Sequence, residues 1–545
     1  MSRAEAGIAA ALLAVQLVLR AALVLRQRFD SDEPQHLHVA WAWTQGLVPY
    51  RDFFDNHTPL FHLLMAPLAA AAGERADILI AMRLAMLPLA GLSLWILYRI
   101  GRSLFSARVG VWSAVLVGLL PGFLFSSVEF RSDNLWTVLW LAAIAVALGG
   151  PLRPARSFAA GLLAGAALAA SMKTAVLLGA LGGGVVAALA LDPRRRRWLH
   201  DRALRGALAA AAAGTTLCCT AGLAALAALG ALSPFVDRVL LHNAGAADLW
   251  AYRLPRGLLF AAALPLLLVA TREIRRRSSS RGLSRSAIFA AAMLYGAIIN
   301  AFSPFATRQN SLPWYPFAAL FAVAGSLAVL EARGRSARPR AVPLLVSVAA
   351  IEVGLALWFS PLWKDGTSGK IGLVAEVLRL TGPRDPVLDL KGETLFRRRA
   401  VDHVFENVTV ERFRRGELRD DIPARLVATR TYVSVPDSPR FPPAARRFLL
   451  DNYVPVGFLR VAGQILEVDE NGACGFEIAL PGRYVLLSPA GPVAATIDGT
   501  ARAGPLWLAA GHHAIAVSAP GTPLALVWAD AAEKGFSPFH PPPSS

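Results

Sequence analysis

Acids, histidines and aromatic residues interleave in one stretch of this chain, Asp30-Ser-Asp-Glu-Pro-Gln-His-Leu-His, then Ala42-Trp-Thr-Gln-Gly-Leu-Val-Pro-Tyr-Arg-Asp-Phe-Phe-Asp-Asn-His-Thr-Pro-Leu-Phe-His. Further on, Glu129-Phe-Arg-Ser-Asp-Asn sets Asp133 at the head of an apolar run, and Lys173 stands alone between Met172 and Thr174 where two apolar runs meet. Arg308 and His242 occupy comparable boundary positions. A lone cation at the edge of hydrocarbon suits an anionic phosphate, because Coulomb attraction is less screened there than in bulk water. Each residue also has a plainer reading. Asp133 can cap a helix N-terminus, Lys173 can snorkel from a helix end, and Asp32 and Glu33 can belong to a solvated loop. His36, His38 and His62 do not form a tetrahedral ligand set by spacing and are read as structural.

The elements that must hold these residues are set by composition. The chain has 545 residues, of which 55% are hydrophobic and 17% charged, and its mean hydropathy is +0.47. That balance excludes both a soluble globular protein and a disordered one over most of the length, leaving a membrane protein. Three cysteines, Cys218, Cys219 and Cys474, imply no disulfide framework. The net charge of +18 arises from arginines in short bursts between apolar segments. Nucleic-acid binding needs them gathered on one face, so no nucleic-acid partner is expected.

Apolar runs long enough to cross a bilayer, about 20 residues each, begin with roughly 8–25. They continue near 77–98, 109–127, 134–149, 158–172, 174–191, 207–232, 256–270, 287–302, 314–330 and 341–359. The reading is about eleven spans. Arginine bursts at 99–108, 153–156, 194–205, 272–285 and 333–340 mark alternate loops as cytoplasmic. The N-terminus is then cytoplasmic and everything after about 360 lies outside, in the periplasm if the source is bacterial. The first outer loop, 30–76, is the longest and must pack on the bundle or lie in the interface; Thr58 to Ala72 suits a helix along the membrane surface. After the membrane domain of 1–359, residues 360–472 read as mixed α/β. From 473 to 545, short alternating runs between Gly, Pro and Asp-Gly turns read as a β-sandwich.

This arrangement resembles the GT-C glycosyltransferases, above all protein O-mannosyltransferases and the lipid A aminoarabinose transferase. The resemblance is carried by Asp32-Glu33 after the first span, Tyr50-Arg-Asp-Phe-Phe-Asp-Asn-His-Thr-Pro-Leu-Phe, and Arg131-Ser-Asp-Asn, and it covers about 8–330. It implies transfer of a sugar from a polyprenyl-phosphate donor, on the extracytoplasmic face of the plasma membrane, to a glycan, lipid or protein acceptor. Direct attack would invert the anomeric carbon. By similarity, Asp32 is the base, Glu33 orients acceptor or loop, and Asp133 joins the catalytic set. Lys173, Arg308, Arg131, His57 and His242 then hold the phosphate. The alternative role for Asp32, Asp133 or Asp55 is to bind a divalent cation, Mg or Mn, bridging to phosphate oxygens. Two other function classes stand beside the transferase: a polyprenyl-lipid transporter or flippase, and a noncatalytic glycan-binding membrane subunit.

Overall fold

The computed structural model describes the chain apart from residues 193–200, 245–268, 273, 275–281, 303–306, 333–340, 361, 519–520 and 541–545. The span expected at 256–270 falls almost wholly outside the described residues, as do the arginines at 194–197, 275–277 and 333–340. The chain divides into two compact units. One is Met1–Arg28, Asn56–Met65 and Ile80–Asp365; the other is Phe29–Asp55, Ala66–Leu79 and Gly366–Ser545.

The first unit is helical, as lipid requires of backbone that has no water to bond. Among the described residues, six helices are long and apolar enough to cross a membrane: Arg3–Arg26, Ile78–Leu104, Arg202–Ala228, Gly282–Ala301, Tyr315–Ala332 and Ala341–Phe359. Shorter apolar helices, Ala107–Leu119, Ser132–Leu148, Pro154–Ala170 and Thr174–Ala190, coincide with four further expected runs. The chain is thus a polytopic α-helical membrane protein.

Glycine lets these helices approach. A Cβ at Gly161 would stand 2.0 Å from the Ala211 carbonyl oxygen, and one at Gly214 would stand 2.3 Å from that of Phe158. The backbones of Pro154–Ala170 and Arg202–Ala228 therefore touch directly, and Thr215 Oγ1 donates to the Gly161 oxygen across the seam at 3.0 Å.

Polar side chains in the bundle satisfy broken backbone. The helix Ala107–Leu119 stops where Pro121 begins the short helix Pro121–Ser126, and the missing N–H of proline leaves carbonyls without helical partners. From the first helix, Arg20 meets one of these, the Gly118 oxygen, at 3.0 Å, while Gln16 Nε2 adds a donor to the Val115 oxygen at 2.7 Å. Arg83, fully buried, closes the C-terminal end of the first helix by donating to the Gln27 oxygen at 2.7 Å.

The second unit is α/β. Its strands are β1 (Val387–Leu388), β2 (Val433–Ser434), β3 (Tyr453–Val456), β4 (Leu459–Leu466), β5 (Ala473–Ile478), β6 (Gly482–Ser488), β7 (Gly491–Pro492), β8 (Ala495–Ile497), β9 (Thr500–Arg502), β10 (Leu506–Leu508), β11 (Gly511–Ala516) and β12 (Leu524–Trp528). One sheet runs β1-β2-β4-β12-β6-β10, with β3 against β4 and β7 against β6; a second runs β5-β11-β8-β9. Among these strands of the described residues, β1 and β2 pair in parallel and the other pairs are antiparallel. Because β4 pairs with β12, Val527 opposite Gly463, the larger sheet runs across the boundary expected at 472/473. All five residues of β12 are buried.

The glycine seam yields a test. Gly161→Leu should destabilise the protein by about 1–3 kcal/mol through overpacking, read as a lower unfolding temperature in detergent. Gly206→Leu on the facing helix, where a Cβ meets nothing within 4 Å, should leave it unchanged. Equal effects at both positions would remove the seam from the account.

Candidate active site

In the first unit, the turn before the helix Ser132–Leu148 and that helix's first turn carry two buried carboxylates, Glu129 and Asp133. Arg131 is extended at φ −140° and ψ 151°, which ends one chain direction and starts the next. Asn134 Nδ2 locks the turn by donating to the Glu129 oxygen at 2.8 Å and the Ser126 oxygen at 3.1 Å. Glu129 is fully buried. Its Oε1 accepts from Arg308 and, at 3.2 Å, from Gln27 Nε2; its Oε2 accepts from Gln309 Nε2 at 2.9 Å. Three segments far apart in sequence therefore meet on one carboxylate.

Asp133 is 2% exposed. Its Oδ2 accepts from Arg131 Nε at 3.1 Å and its Oδ1 from Lys173 Nζ at 3.0 Å. Its oxygens are engaged by cations rather than by helix amides, so capping does not account for it. Lys173 also lies 5.5 Å from the Trp136 ring centroid, and Arg308 5.5 Å from that of Phe125, contacts that fix the cations further. Among the described residues, the two carboxylates face three cations, which leaves one net positive charge among these five groups. Lys173 and Arg308 keep 35% and 39% of their side-chain surface exposed.

His57 and His242 reach this unit by another contact. Asn243 Nδ2, next to the buried His242, donates to the Asn56 oxygen at 2.9 Å. His242 directly follows the π-helical turn Val236–Leu241, a rare distortion that re-aims the side chains after it. The His57 and His62 rings lie 6.1 Å apart.

Asp32, Glu33 and Asp55 belong to the second unit. Asp32 opens the helix Asp32–Thr44, and its Oδ1 accepts from Lys391 Nζ at 2.5 Å. Glu33 is fully buried and its Oε1 accepts from the Asp30 backbone N–H at 2.8 Å, while Asp30 Oδ1 accepts from the Asp32 N–H at 3.1 Å. The pair forms a capping box that fixes the start of the helix and the aim of Asp32. Asp55 is fully buried and its Oδ1 lies 3.5 Å from Gln35 Nε2. Among the described residues no three His, Cys, Asp or Glu side chains gather as a metal ion would need.

Lys391 comes from a tight loop built on Asp389. That carboxylate, fully buried, accepts from the Gly392 N–H at 3.0 Å, the Thr394 hydroxyl at 2.8 Å and Arg399 Nε at 2.7 Å. Gly392 has φ +97° and a Cβ there would meet His38 Cβ at 2.8 Å, so glycine is needed for conformation and for space. His38 Nδ1 donates to the Leu395 oxygen at 2.7 Å, and Arg397 donates to Glu74 at 3.0 Å and to Thr381 Oγ1 at 2.8 Å. The loop thus grips both ends of the long segment that follows the first span. Sequence reasoning missed Glu129, Gln309 and Lys391 as site residues. Glu129 carried a signal, an acid at the edge of an apolar run; Lys391 carried only an Asp-x-x-Gly turn.

Burial pushes the His38 imidazole below its usual value, against the pull of Asp389 and of the Leu395 carbonyl. Burial acts to raise the Asp389 carboxyl, but Arg399, His38 and Thr394 outweigh it and hold it below the usual range. Both groups therefore bind protons more readily unfolded than folded. The stability they contribute is present at neutral pH and is lost as the pH falls below about 6.5 for His38 and below about 4 for Asp389, toward their lower folded values. The unfolding temperature should drop between about pH 7 and about pH 5, and His38→Gln should remove most of that drop; an identical drop in both proteins would contradict it. The ion pair is tested separately. An Asp32→Asn/Lys391→Met cycle should show a coupling of about 0.5–3 kcal/mol in unfolding, and additivity within about 0.3 kcal/mol would deny it.

Comparison with known proteins agrees with this architecture. Residues 56–231 match the family model described as dolichyl-phosphate-mannose-protein mannosyltransferase. No curated protein sequence matches the chain. Among solved structures, ArnT from Cupriavidus metallidurans in the apo state is similar at 15% identity and a TM-score of 0.56, over 84% of this chain and 98% of that one. The same protein bound to undecaprenyl phosphate gives 15% identity and a TM-score of 0.55, over 79% and 93%. Residues 56–231 are thus similar to the protein mannosyltransferase family, and the chain shares the fold of ArnT.

Proposed function

We propose that the enzyme moves a sugar from a polyprenyl-phosphate donor to an acceptor on the extracytoplasmic face by inverting single displacement. The observation that carries this reading is the pair of buried carboxylates, Glu129 and Asp133, gripping Arg308, Arg131 and Lys173 with one positive charge left over. Such an arrangement holds cations rigidly while Lys173 and Arg308 keep open faces, which suits the charge that develops on a departing phosphate. The similarity to ArnT bound to undecaprenyl phosphate supports a carrier of that class. His57 and His242 are assigned to the same phosphate.

Asp32 is assigned as the base. It takes the acceptor's hydroxyl proton as that oxygen bonds to the anomeric carbon, and the bond from that carbon to the phosphate oxygen breaks with its electron pair leaving on the phosphate. Glu33 keeps Asp32 in place through the capping box. The Asp32 carboxylate is engaged by Lys391, so this role needs Lys391 to yield as the acceptor arrives. Asp133 acts by holding cations.

Among the described residues, these carboxylates do not gather as a divalent-ion site. Asp32 accepts from a lysine, Asp133 from an arginine and a lysine, and Asp55 has no second and third ligand gathered about it among the described residues. The transfer is accordingly derived from the chain's own cations.

We assign the N-terminus to the cytoplasm and residues after about 360 to the periplasm or cell exterior, with 1–359 as the membrane catalytic domain. The arginine distribution between spans supports this orientation. The tail, proposed from sequence as 360–472 and 473–545, acts with the first outer loop, since Lys391 and Arg397 engage Asp32 and Glu74.

The test is complementation of a deletion strain, with mass spectrometry of envelope glycans and polyprenyl-phosphate sugars. The wild-type gene should restore one modification. Asp32→Asn at normal expression should leave the donor accumulated and transfer reduced by about 100-fold or more. Full restoration by Asp32→Asn would overturn the assignment.

A further inference from the structure

The second unit carries, apart from the residues assigned above, a cleft of about 810 Å3 between the helices Asn407–Arg414 and Pro443–Asn452. Its volume lies within the roughly 300–1,000 Å3 of small-ligand sites. Four arginines line it, Arg414, Arg440, Arg446 and Arg447, and none of its lining residues is acidic. Their countercharges are incomplete. Arg446 is held by Asp437 at 2.8 Å and Arg414 only approaches Glu411 at 3.8 Å, while Arg440 and Arg447 pair with no carboxylate among the described residues.

The frame beneath is stiff. Phe405 packs against Phe413 at 6.1 Å and against Phe441 at 5.1 Å between ring centroids. Asp420 Oδ2 caps the helix Pro443–Asn452 by accepting from the Ala444 and Ala445 N–H groups at 2.9 and 3.1 Å. Phe413 and Pro443 add flat apolar surface to the cleft wall.

We propose that this cleft binds an acidic glycan, one whose sugars carry carboxylate groups. The guanidinium fork matches a carboxylate in two parallel hydrogen bonds, and an aromatic or proline face suits the C–H face of a sugar ring. A membrane surface is the less fitting occupant. Lipid contact favours several apolar side chains protruding from a convex face, whereas the lining here is concave and its one large exposed aliphatic side chain is Leu450, at 53%. The proposal is independent of the role given to Asp32, because it is read as binding and not as turnover.

The full-length protein in phosphatidylcholine nanodiscs is titrated calorimetrically with trigalacturonate and with maltotriose, which lacks carboxylates. Trigalacturonate should bind about tenfold or more tightly than maltotriose, and about threefold more weakly when NaCl rises from about 50 to about 300 mM. Arg440→Glu/Arg447→Glu should weaken it about tenfold or more. Arg425→Glu, outside the cleft and paired with Asp421, should not. Arg440→Gln and Arg447→Gln, which remove charge without reversing it, should each weaken binding by about threefold and stand in if the double variant fails to fold. Equal affinity for the two trisaccharides, or unchanged binding in the glutamine variants, overturns the proposal. Displacement of trigalacturonate by dihexanoylphosphatidylglycerol at equal or lower concentration also overturns it, since the cleft would then be a lipid-headgroup surface.

Discussion

A carboxylate withdrawn from water must be met by positive charge, and this requirement organises the protein. Glu129, Asp133 and Asp389 are all 2% exposed or less, and each is met by an arginine: Arg308, Arg131 and Arg399. Leaving such an ion unpartnered costs several kcal/mol, so these contacts form only when remote segments have come together. The partners of Glu129 come from the end of the first helix and from the turn at Gln309. Assembly of the bundle and assembly of the charged cluster are therefore the same event. Its chemical consequence is a set of cations held apart on carboxylates, of which Lys173 and Arg308 keep part of their side-chain surface exposed.

The same rule explains how a long segment after the first span stays folded. Its backbone needs partners, and the loop around Asp389 supplies an anchor at each end, to His38 and Asp32 and to Glu74. Gly392 permits the close approach, and the Asp30–Glu33 capping box turns Asp32 toward the lysine. The tail thereby has a physical role in holding the segment after the first span, whatever further ligands it takes.

Much of this was legible in the sequence because lipid imposes a coarse code. Apolar length marks a helix, which is why the runs near 134–149 and 174–191 coincide with Ser132–Leu148 and Thr174–Ala190. Lys173 and Asp133 stood out because isolated charges are costly at such boundaries. What could not be read is pairing. Nothing local to Lys391 indicates Asp32, which is 359 residues away, and the unbroken apolar run of β12 marks it as buried but does not name its neighbour, β4, so the sheet's passage across 472/473 was hidden. Glu129 looked like one more outer acid because its burial is created by Gln27, Arg308 and Gln309, none of them nearby in sequence.

Whether the carboxylate-gripped cations receive a lipid phosphate is read from equilibrium binding of undecaprenyl phosphate to the purified protein, with Lys173→Gln and Arg308→Gln beside wild type. The account requires each substitution to weaken binding by about tenfold, since each removes one charge-assisted contact of about 1.4 kcal/mol or more. Isotherms that superimpose on the wild-type curve would show that these cations serve the fold alone.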